Sequence, residues 1–268
     1  MLINKTRAQM SYSVEFNSEP SGLGATKATI QRILRSLDLV GWNTHEETGR
    51  LDRKAFTRYA TGSTAIFSKR HHVEAQASAV TILIDCSGSM GNGGRIQTAQ
   101  SVAIQLSKML DKANASFNVV GFQGGMGYAR QGATGATTES IDALVEFTEF
   151  IPFKTWNESL TKASAKLGSI KGWAGHSTPD YSALSITLEE LSKREEQRKI
   201  LFFLTDADSY TKSHMVYLQE IADKLGIKII AIGVGRTEVE QCFKIAQNVE
   251  NVSDLADASF GKLLKELR

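Results

Sequence analysis

The chain has 268 residues, of which 41% are hydrophobic and 22% are charged, as in an ordinary globular protein. Its net charge of +2 gives no strong attraction to nucleic acid, and no apolar run approaches the ~20 residues that cross a membrane. Two cysteines, Cys86 and Cys242, form no Cys-x-x-Cys pair, which argues against a thiolate zinc site and favours a reducing, cytoplasmic location.

The first part of the chain is predicted to hold an extended arm or linker over residues 1–24 and a helical segment over residues 25–78. Apolar residues at three- and four-residue steps predict a helix over residues 25–40. A polar turn is expected over residues 43–49 and a second helix over residues 51–60. His71 and His72 are adjacent on an extended stretch, where neighbouring side chains point to opposite faces, so we interpret them as solvated rather than as metal ligands.

From residue 79 to residue 268 apolar strands and amphipathic helices alternate, which predicts one large α/β domain. This order is typical of a doubly wound, mainly parallel sheet with helices on both faces. The predicted strands cover residues 79–85, 116–122, 143–151, 199–206, 227–235 and 249–252, and the predicted helices cover residues 95–110, 158–167, 181–194, 213–225 and 259–267. Residues 123–139 are predicted to form a surface loop.

The apolar run that begins at Ala79 ends at Asp85, and Ser87 and Ser89 follow with Gly88 between them. An unbroken apolar run is typical of a parallel strand that is buried on both faces. The carboxyl ends of such strands form the edge of the sheet where ligands bind. This turn offers only oxygen atoms, which suit hard cations such as Mg²⁺, Ca²⁺ or Mn²⁺.

Two later loops are expected at the same edge, because right-handed crossovers bring all the strand ends together there. They contribute Thr178 and Asp206. Two carboxylates and three hydroxyls can surround a Mg²⁺-sized ion together with water. Neutral hydroxyls leave the ion partly uncompensated, so an open coordination position favours an acidic side chain of another molecule.

Simpler interpretations stay open for each residue taken alone. Asp85 and the two serines can cap a helix and form a turn, Thr178 can cap the helix after it, and Asp206 can be a plain acid at a strand end. No Gly-x-Ser-x-Gly elbow and no GxxxxGK[ST] loop is present, so we assign no catalytic residue and no Walker-type ATP site. A phosphohydrolase that uses the same carboxylates ranks lowest.

Over residues 79–268 the chain resembles von Willebrand factor A domains. Asp85-Cys86-Ser87-Gly88-Ser89 is similar to their Asp-x-Ser-x-Ser turn, and Thr178 and Asp206 are similar to the acceptors of their second and third loops. The resemblance implies a metal-ion-dependent adhesion site, in which both serines and the threonine touch the ion and the acids act directly or through water. Asp208 and Asp180 are expected close to this ion, beyond its direct ligands.

More narrowly, residues 49–67 and 79–85 and the run Ile229 to Gly235 resemble the C-terminal half of CobT subunits of aerobic cobaltochelatase. That family's long N-terminal region and acidic linker are missing here, and Ala207 stands where the family usually has glycine. The resemblance implies a MoxR/CobS-like AAA+ ATPase as partner and a non-catalytic, metal-dependent adaptor role. The alternative is a subunit of an ATP-dependent cobaltochelatase that inserts cobalt into a corrin ring. Short chains of this kind also occur in bacteriophages.

Overall fold

The computed structural model of the chain describes residues 16–17, 40–52, 59, 62, 64–72, 78–112, 114–128, 144–206, 212–235 and 237–250. The chain divides into two compact units. One unit comprises residues 32–76, and the other comprises residues 1–31 and 77–268.

The smaller unit contains three strands: β1 (Val40–Glu46), β2 (Arg50–Leu51) and β3 (Phe67–His72). They pair antiparallel in the order β1-β3-β2. Gly49 stands in the turn before β2 with φ of 137°, a backbone conformation that L side chains rarely adopt. A Cβ at this position would also lie 2.5 Å from the carbonyl oxygen of Ser68, so glycine is required for the close approach of β3.

The sequence-based prediction for this region is wrong for β1 and β2, whereas Tyr59 in the predicted second helix is helical and residues 47–49 form a bend before β2. The predicted helix over residues 25–40 lies outside the described residues, except for Val40, which begins β1. The predicted turn over residues 43–49 is strand as far as Glu46, and Leu51 ends β2 rather than beginning a helix. Val40, Trp42 and Thr44 alternate along β1, and this two-residue period favours a strand.

The larger unit contains one six-stranded sheet in the order β6-β5-β4-β7-β8-β9. Its strands are β4 (Ser78–Asp85), β5 (Ser116–Tyr128), β6 (Leu144–Lys154), β7 (Arg198–Thr205), β8 (Ile227–Val234) and β9 (Ala246–Val249). All neighbouring pairs are parallel except β5 and β6, which are antiparallel. The prediction of a mainly parallel sheet is therefore confirmed.

Helices flank this sheet as predicted. They are α1 (Arg95–Lys112), α2 (Leu160–Gly168), α3 (Asp180–Ser192), α4 (Lys212–Lys224) and the short α5 (Val239–Cys242). A 3₁₀ segment over Gly88–Gly94 joins the end of β4 to α1. The predicted closing helix over residues 259–267 lies outside the described residues.

The central strands form the core of the larger unit. Every residue of β4 is buried, as are the last six residues of β7. Phe203 lies in one buried cluster with two other aromatic rings. Its ring stacks on that of Phe122 with centroids 6.0 Å apart and meets that of Phe243 edge-on at 5.8 Å. Burial on both faces explains the unbroken apolar runs in the sequence.

Three strands, β5, β6 and β9, differ clearly from their predicted bounds. β5 continues as far as Tyr128, through residues that were predicted to be a loop, because it pairs along its length with β6. β6 is longer than predicted and carries Pro152, whose missing N–H is tolerated on an edge strand. The predicted last strand over residues 249–252 is found at Ala246–Val249 instead.

Among the helices that the structure describes, none combines the length and the apolar character that a membrane crossing requires.

Candidate metal centre

The first loop of the site begins where β4 ends. Asp85 is fully buried, and both oxygens of its carboxylate accept hydrogen bonds. The backbone N–H of Ser87 donates to Oδ1 at 2.8 Å, and the Thr205 hydroxyl donates to Oδ2 at 3.0 Å. Ile84 pairs with Leu204, so Asp85 and Thr205 follow at the same level on adjacent strands. The carboxylate is therefore held from two sides.

The two serine hydroxyls of this turn lie side by side. Ser87 Oγ and Ser89 Oγ are 3.0 Å apart, with Ser87 fully buried and Ser89 half-buried. Ser87 occupies the cap position of the 3₁₀ segment, yet its side chain makes no capping hydrogen bond. The Ser87 side chain therefore does not cap this segment, whereas the Asp85 carboxylate, which accepts from the Ser87 N–H, agrees with the turn interpretation as well as with a metal site.

The second loop is fastened to the first by backbone hydrogen bonds. Gly175 N–H donates to the Cys86 carbonyl at 2.9 Å, and Gly88 N–H donates to the His176 carbonyl at 2.9 Å. The next carbonyl, that of Ser177, accepts from Gly124 N–H on β5 at 2.7 Å. These bonds hold the segment that immediately precedes Thr178 against the Asp85 turn.

Thr178 is half-buried at the end of this fastened segment. Pro179, rather than Thr178, occupies the N-cap position of α3, so the threonine does not cap this helix. Asp180 follows as the first residue of α3 and is 4% exposed. His176 is exposed and has φ of 62°, consistent with a loop residue.

The third loop follows β7. Asp206, only 2% exposed, comes directly after Thr205 and so lies on the strand next to Asp85. Its Oδ2 accepts a hydrogen bond from Arg95 Nη1 at 2.9 Å, which is also an ion pair. Arg95 is the first residue of α1. Asp208 lies outside the described residues, and its predicted place near the ion stays a prediction.

Burial controls the charge state of this site. Burial, together with the negative charge of Asp206, raises the pKa of Asp85 from 3.8 to about 6, although the hydrogen bonds from Ser87 and Thr205 act to lower it. The rim of the sheet therefore holds two buried carboxylates, of which only Asp206 has a cationic neighbour among the contacts described here. A bound cation would relieve this excess of negative charge.

The donor set fits a hard divalent cation. Asp85, Asp206, Ser87 and Ser89 offer carboxylate and hydroxyl oxygens, which Mg²⁺, Ca²⁺ and Mn²⁺ prefer. The part of the chain that the structure describes has no group of three or more His, Cys, Asp or Glu side chains that could hold a metal ion, so the serine hydroxyls are needed to complete a ligand set. The adjacent Cys86 thiol is buried, and burial together with the charge of Asp85 raises its pKa strongly.

Two residues of this site were missed by sequence reasoning. Thr205 is a polar residue at the end of an apolar strand, directly before an acid, and this contrast could have flagged it. Arg95 begins a helix at the end where acidic residues are favoured, which is the only local sign of its role. Its contact with Asp206, which lies 111 residues away in sequence, follows only from the fold.

Comparison with known proteins gives one family and a set of similar folds. Residues 66–267 match the family model described as the cobalamin biosynthesis protein CobT VWA domain. No curated protein sequence matches the chain.

Several solved structures have a similar fold, and the match covers a different share of each of those chains. Proximal thread matrix protein 1 from the mussel byssus is 20% identical with a TM-score of 0.48, over 72% of this chain and 47% of that one. BatB from Bacteroides thetaiotaomicron is 15% identical with a TM-score of 0.47, and the match covers 71% of this chain and 98% of BatB. Manganese-loaded TRAP protein from Plasmodium vivax is 13% identical with a TM-score of 0.46, and the match covers 70% of this chain and 74% of the TRAP chain. The chain thus spans about half the length of the mussel protein.

Proposed function

The chain belongs to the family of the cobalamin biosynthesis protein CobT VWA domain, and from this premise we propose that it is a divalent-metal-dependent protein-interaction module. In this proposal Ser87, Ser89 and Thr178 contact the cation directly. Asp85 and Asp206 bind it directly or through water. An acidic side chain of a partner protein then occupies the open coordination position.

One observation carries this proposal: two buried carboxylates share the rim of the sheet with a pair of adjacent hydroxyls. Asp85 is fully buried and Asp206 is 2% exposed, and the Ser87 and Ser89 oxygens are 3.0 Å apart. Burying charged groups is costly unless they are paired or bind a metal. Mg²⁺ is the cation we expect, with Mn²⁺ and Ca²⁺ as chemically similar alternatives.

The proposed role is recruitment rather than catalysis. The Ser87 hydroxyl contacts the Ser89 hydroxyl, and the Asp85 carboxylate is engaged by Ser87 and Thr205. Among the described residues, neither serine hydroxyl contacts a histidine, the usual activating base of a nucleophilic serine. By family relationship we propose a MoxR/CobS-like AAA+ ATPase as the partner, with this chain as its adaptor in the cytoplasm.

The test is capture of such an ATPase by the tagged chain in Mg²⁺ and in EDTA. Asp85→Asn keeps the shape of the side chain but removes its charge, and Asp223→Asn removes an exposed charge on α4 as the matched control. We expect capture by the wild type and Asp223→Asn in Mg²⁺, and at least tenfold less in EDTA or with Asp85→Asn. Equal capture under all conditions would remove the metal from the mechanism.

A second candidate function is a subunit of an ATP-dependent cobaltochelatase. The match over residues 66–267 to a family named for cobalamin biosynthesis supports it. In this case cobalt is the cargo of the assembled complex and not the resident cation of the site. Reconstitution with a CobS-like ATPase and a large chelatase subunit should then give ATP-dependent insertion of cobalt into a corrin ring. A fully assembled complex that leaves the ring metal-free would exclude this function.

A further inference from the structure

Arg95 lies beside the candidate metal centre and holds one of its carboxylates. Its Nη1 donates to Asp206 Oδ2 at 2.9 Å. The two side chains differ in accessibility, since that of Asp206 is 1% exposed and that of Arg95 is 28% exposed. The guanidinium therefore reaches from solvent onto a carboxylate that is otherwise enclosed.

The position of Arg95 on its helix is electrostatically unfavourable. It is the first residue of α1, and the first turn of this helix contains no acidic residue. A helix N-terminus carries partial positive charge and favours anions, so a cation there needs another partner. Asp206 supplies that partner from the end of β7.

The residue after β8 lies beside the arginine side chain. Gly235 follows β8 with φ of 93°, and a Cβ at this position would lie 3.5 Å from Arg95 Nε. Backbone without a side chain thus packs alongside the arginine stem. The contact between Arg95 and Asp206 is set by three elements, namely α1, β7 and β8.

A guanidinium on Asp206 opposes the binding of a second cation at the same site. Two like charges that share one carboxylate in a partly buried site change a binding constant by roughly tenfold or more. Arginine also presents a planar fork of donors that matches a carboxylate. Its exposed part is therefore able to turn toward an acidic group that arrives from solvent.

We propose that Arg95 exchanges carboxylates when the site is filled. Without the cation it pairs with Asp206 and keeps metal affinity low; with the cation and an acidic partner group present, it pairs with the partner's carboxylate. This inference rests on the proposed function. Because each ligand then favours the arrangement that the other requires, the cation and the carboxylate bind cooperatively.

The first measurement is the affinity of the metal-free chain for Mn²⁺ by calorimetry. We expect Arg95→Gln to bind Mn²⁺ roughly tenfold more tightly than the wild type, because the competing charge is gone. Arg95→Lys, which keeps the charge, should stay close to the wild type. Arg194→Gln is the matched control, since it breaks a similar ion pair with Glu196 on the segment before β7, at the opposite edge of the sheet.

The second measurement uses a synthetic peptide with one glutamate, and the same peptide with glutamine, titrated by calorimetry into the chain at saturating Mn²⁺. We expect the glutamate peptide to bind Arg95→Gln roughly tenfold more weakly than the wild type. The two expected effects therefore have opposite signs. A purely structural role for Arg95 would instead weaken both, and that result would overturn the inference.

Asp85→Asn separates failure of this inference from failure of the proposed function. If Asp85→Asn binds Mn²⁺ as well as the wild type does, the metal centre itself is wrong. If Asp85→Asn loses Mn²⁺ binding while Arg95→Gln matches the wild type, only the exchange by Arg95 is overturned. Should Arg95→Gln fail to fold, Arg95→Met keeps the aliphatic stem and carries the same expectations.

Discussion

At the scale of single residues, Asp85 is the group whose chemistry is most altered by the fold. It is fully buried, and its carboxylate accepts hydrogen bonds from Ser87 and Thr205. Burial outweighs these bonds and raises its pKa to about 6. In the metal-free chain the charged form of Asp85 therefore opposes folding.

The unfolding free energy of the metal-free chain should depend on pH because of this carboxylate. Between about pH 4 and pH 6 the folded chain retains a proton on Asp85 that the unfolded chain has released, because the folded pKa is about 6 and the ordinary value is 3.8. Stability from this group is present below that window and falls as the pH rises through it. Asp85→Asn lacks the effect; its Oδ1 can still accept from the Ser87 N–H, and its NH2 can donate to the Thr205 hydroxyl, which reverses the direction of that bond.

We expect Asp85→Asn in EDTA to exceed the wild type in unfolding free energy by on the order of 2 kcal/mol at pH 7.5, with a smaller difference at pH 4.5. Urea denaturation at the two pH values measures this. A difference that does not change between them would show that the buried carboxylate has no raised pKa.

The two cysteines give a second prediction at this scale. Cys86 and Cys242 are both buried and unpaired by disulfide, and burial raises the pKa of each thiol. Thiolate is the reactive form, so both should resist a thiol reagent at pH 7.5 while the chain is folded. Ellman's reagent should label almost no thiol in the native chain and two thiols in 6 M guanidinium. Rapid labelling of the native chain would contradict the burial of these residues.

At the scale of elements, the packing of β4, β5 and β6 depends on a glycine. A Cβ at Gly121 would lie 2.6 Å from the Phe153 ring and 2.8 Å from Cys86 Sγ. Both distances are shorter than real Cβ contacts, so an added methyl must displace side chains that are fully buried. One of these side chains belongs to the residue that follows Asp85.

We expect Gly121→Ala to lower the unfolding free energy by roughly 1–3 kcal/mol and to weaken Mg²⁺ binding, since it disturbs the turn that carries the ligands. Gly172→Ala is the matched control, because a Cβ at Gly172 meets nothing within 4 Å. Chemical denaturation and metal titration of both variants test this. If the two variants behave alike, the close packing around Gly121 is not what positions the turn.

The elements also show where sequence patterns were sufficient and where they were not. The buried runs of β4, β7 and β8 could be predicted, because a strand covered on both faces must be apolar throughout. The extension of β5 to Tyr128 could not, because its glycines suggest a loop and the pairing with β6 decides otherwise. Likewise, pairing with β3 makes residues 43–46 part of strand β1, where a polar turn was expected.

At the scale of the whole molecule, hydrogen bonds bring three distant parts of the chain together at one rim of the sheet. The Asp85 turn, the segment that leads to Thr178 and the end of β7 are joined by the hydrogen bonds of Gly88, Gly175 and Thr205. A cation that binds only when these parts are assembled binds the folded chain and not the unfolded one. Metal binding should therefore stabilise the fold as a whole.

Thermal denaturation tests this coupling. With Mg²⁺ at a hundred times its dissociation constant, we expect the unfolding free energy of the wild type to rise by about 2.7 kcal/mol over its value in EDTA. Asp85→Asn should show no such rise, whereas Arg194→Gln should show it in full. A rise of the same size in Asp85→Asn would assign the stabilisation to general salt effects.

The sequence by itself determined the α/β class, the mainly parallel sheet and the spacing of the candidate ligands Asp85, Ser87, Ser89, Thr178 and Asp206, because these depend on local periodicity and on where each apolar run stops. Only the tertiary structure decided which other side chains contact those candidate ligands. The hydrogen bond of Thr205 to Asp85 and the ion pair of Arg95 with Asp206 join residues more than a hundred positions apart. The order of the strands sets such contacts, and no local pattern records it.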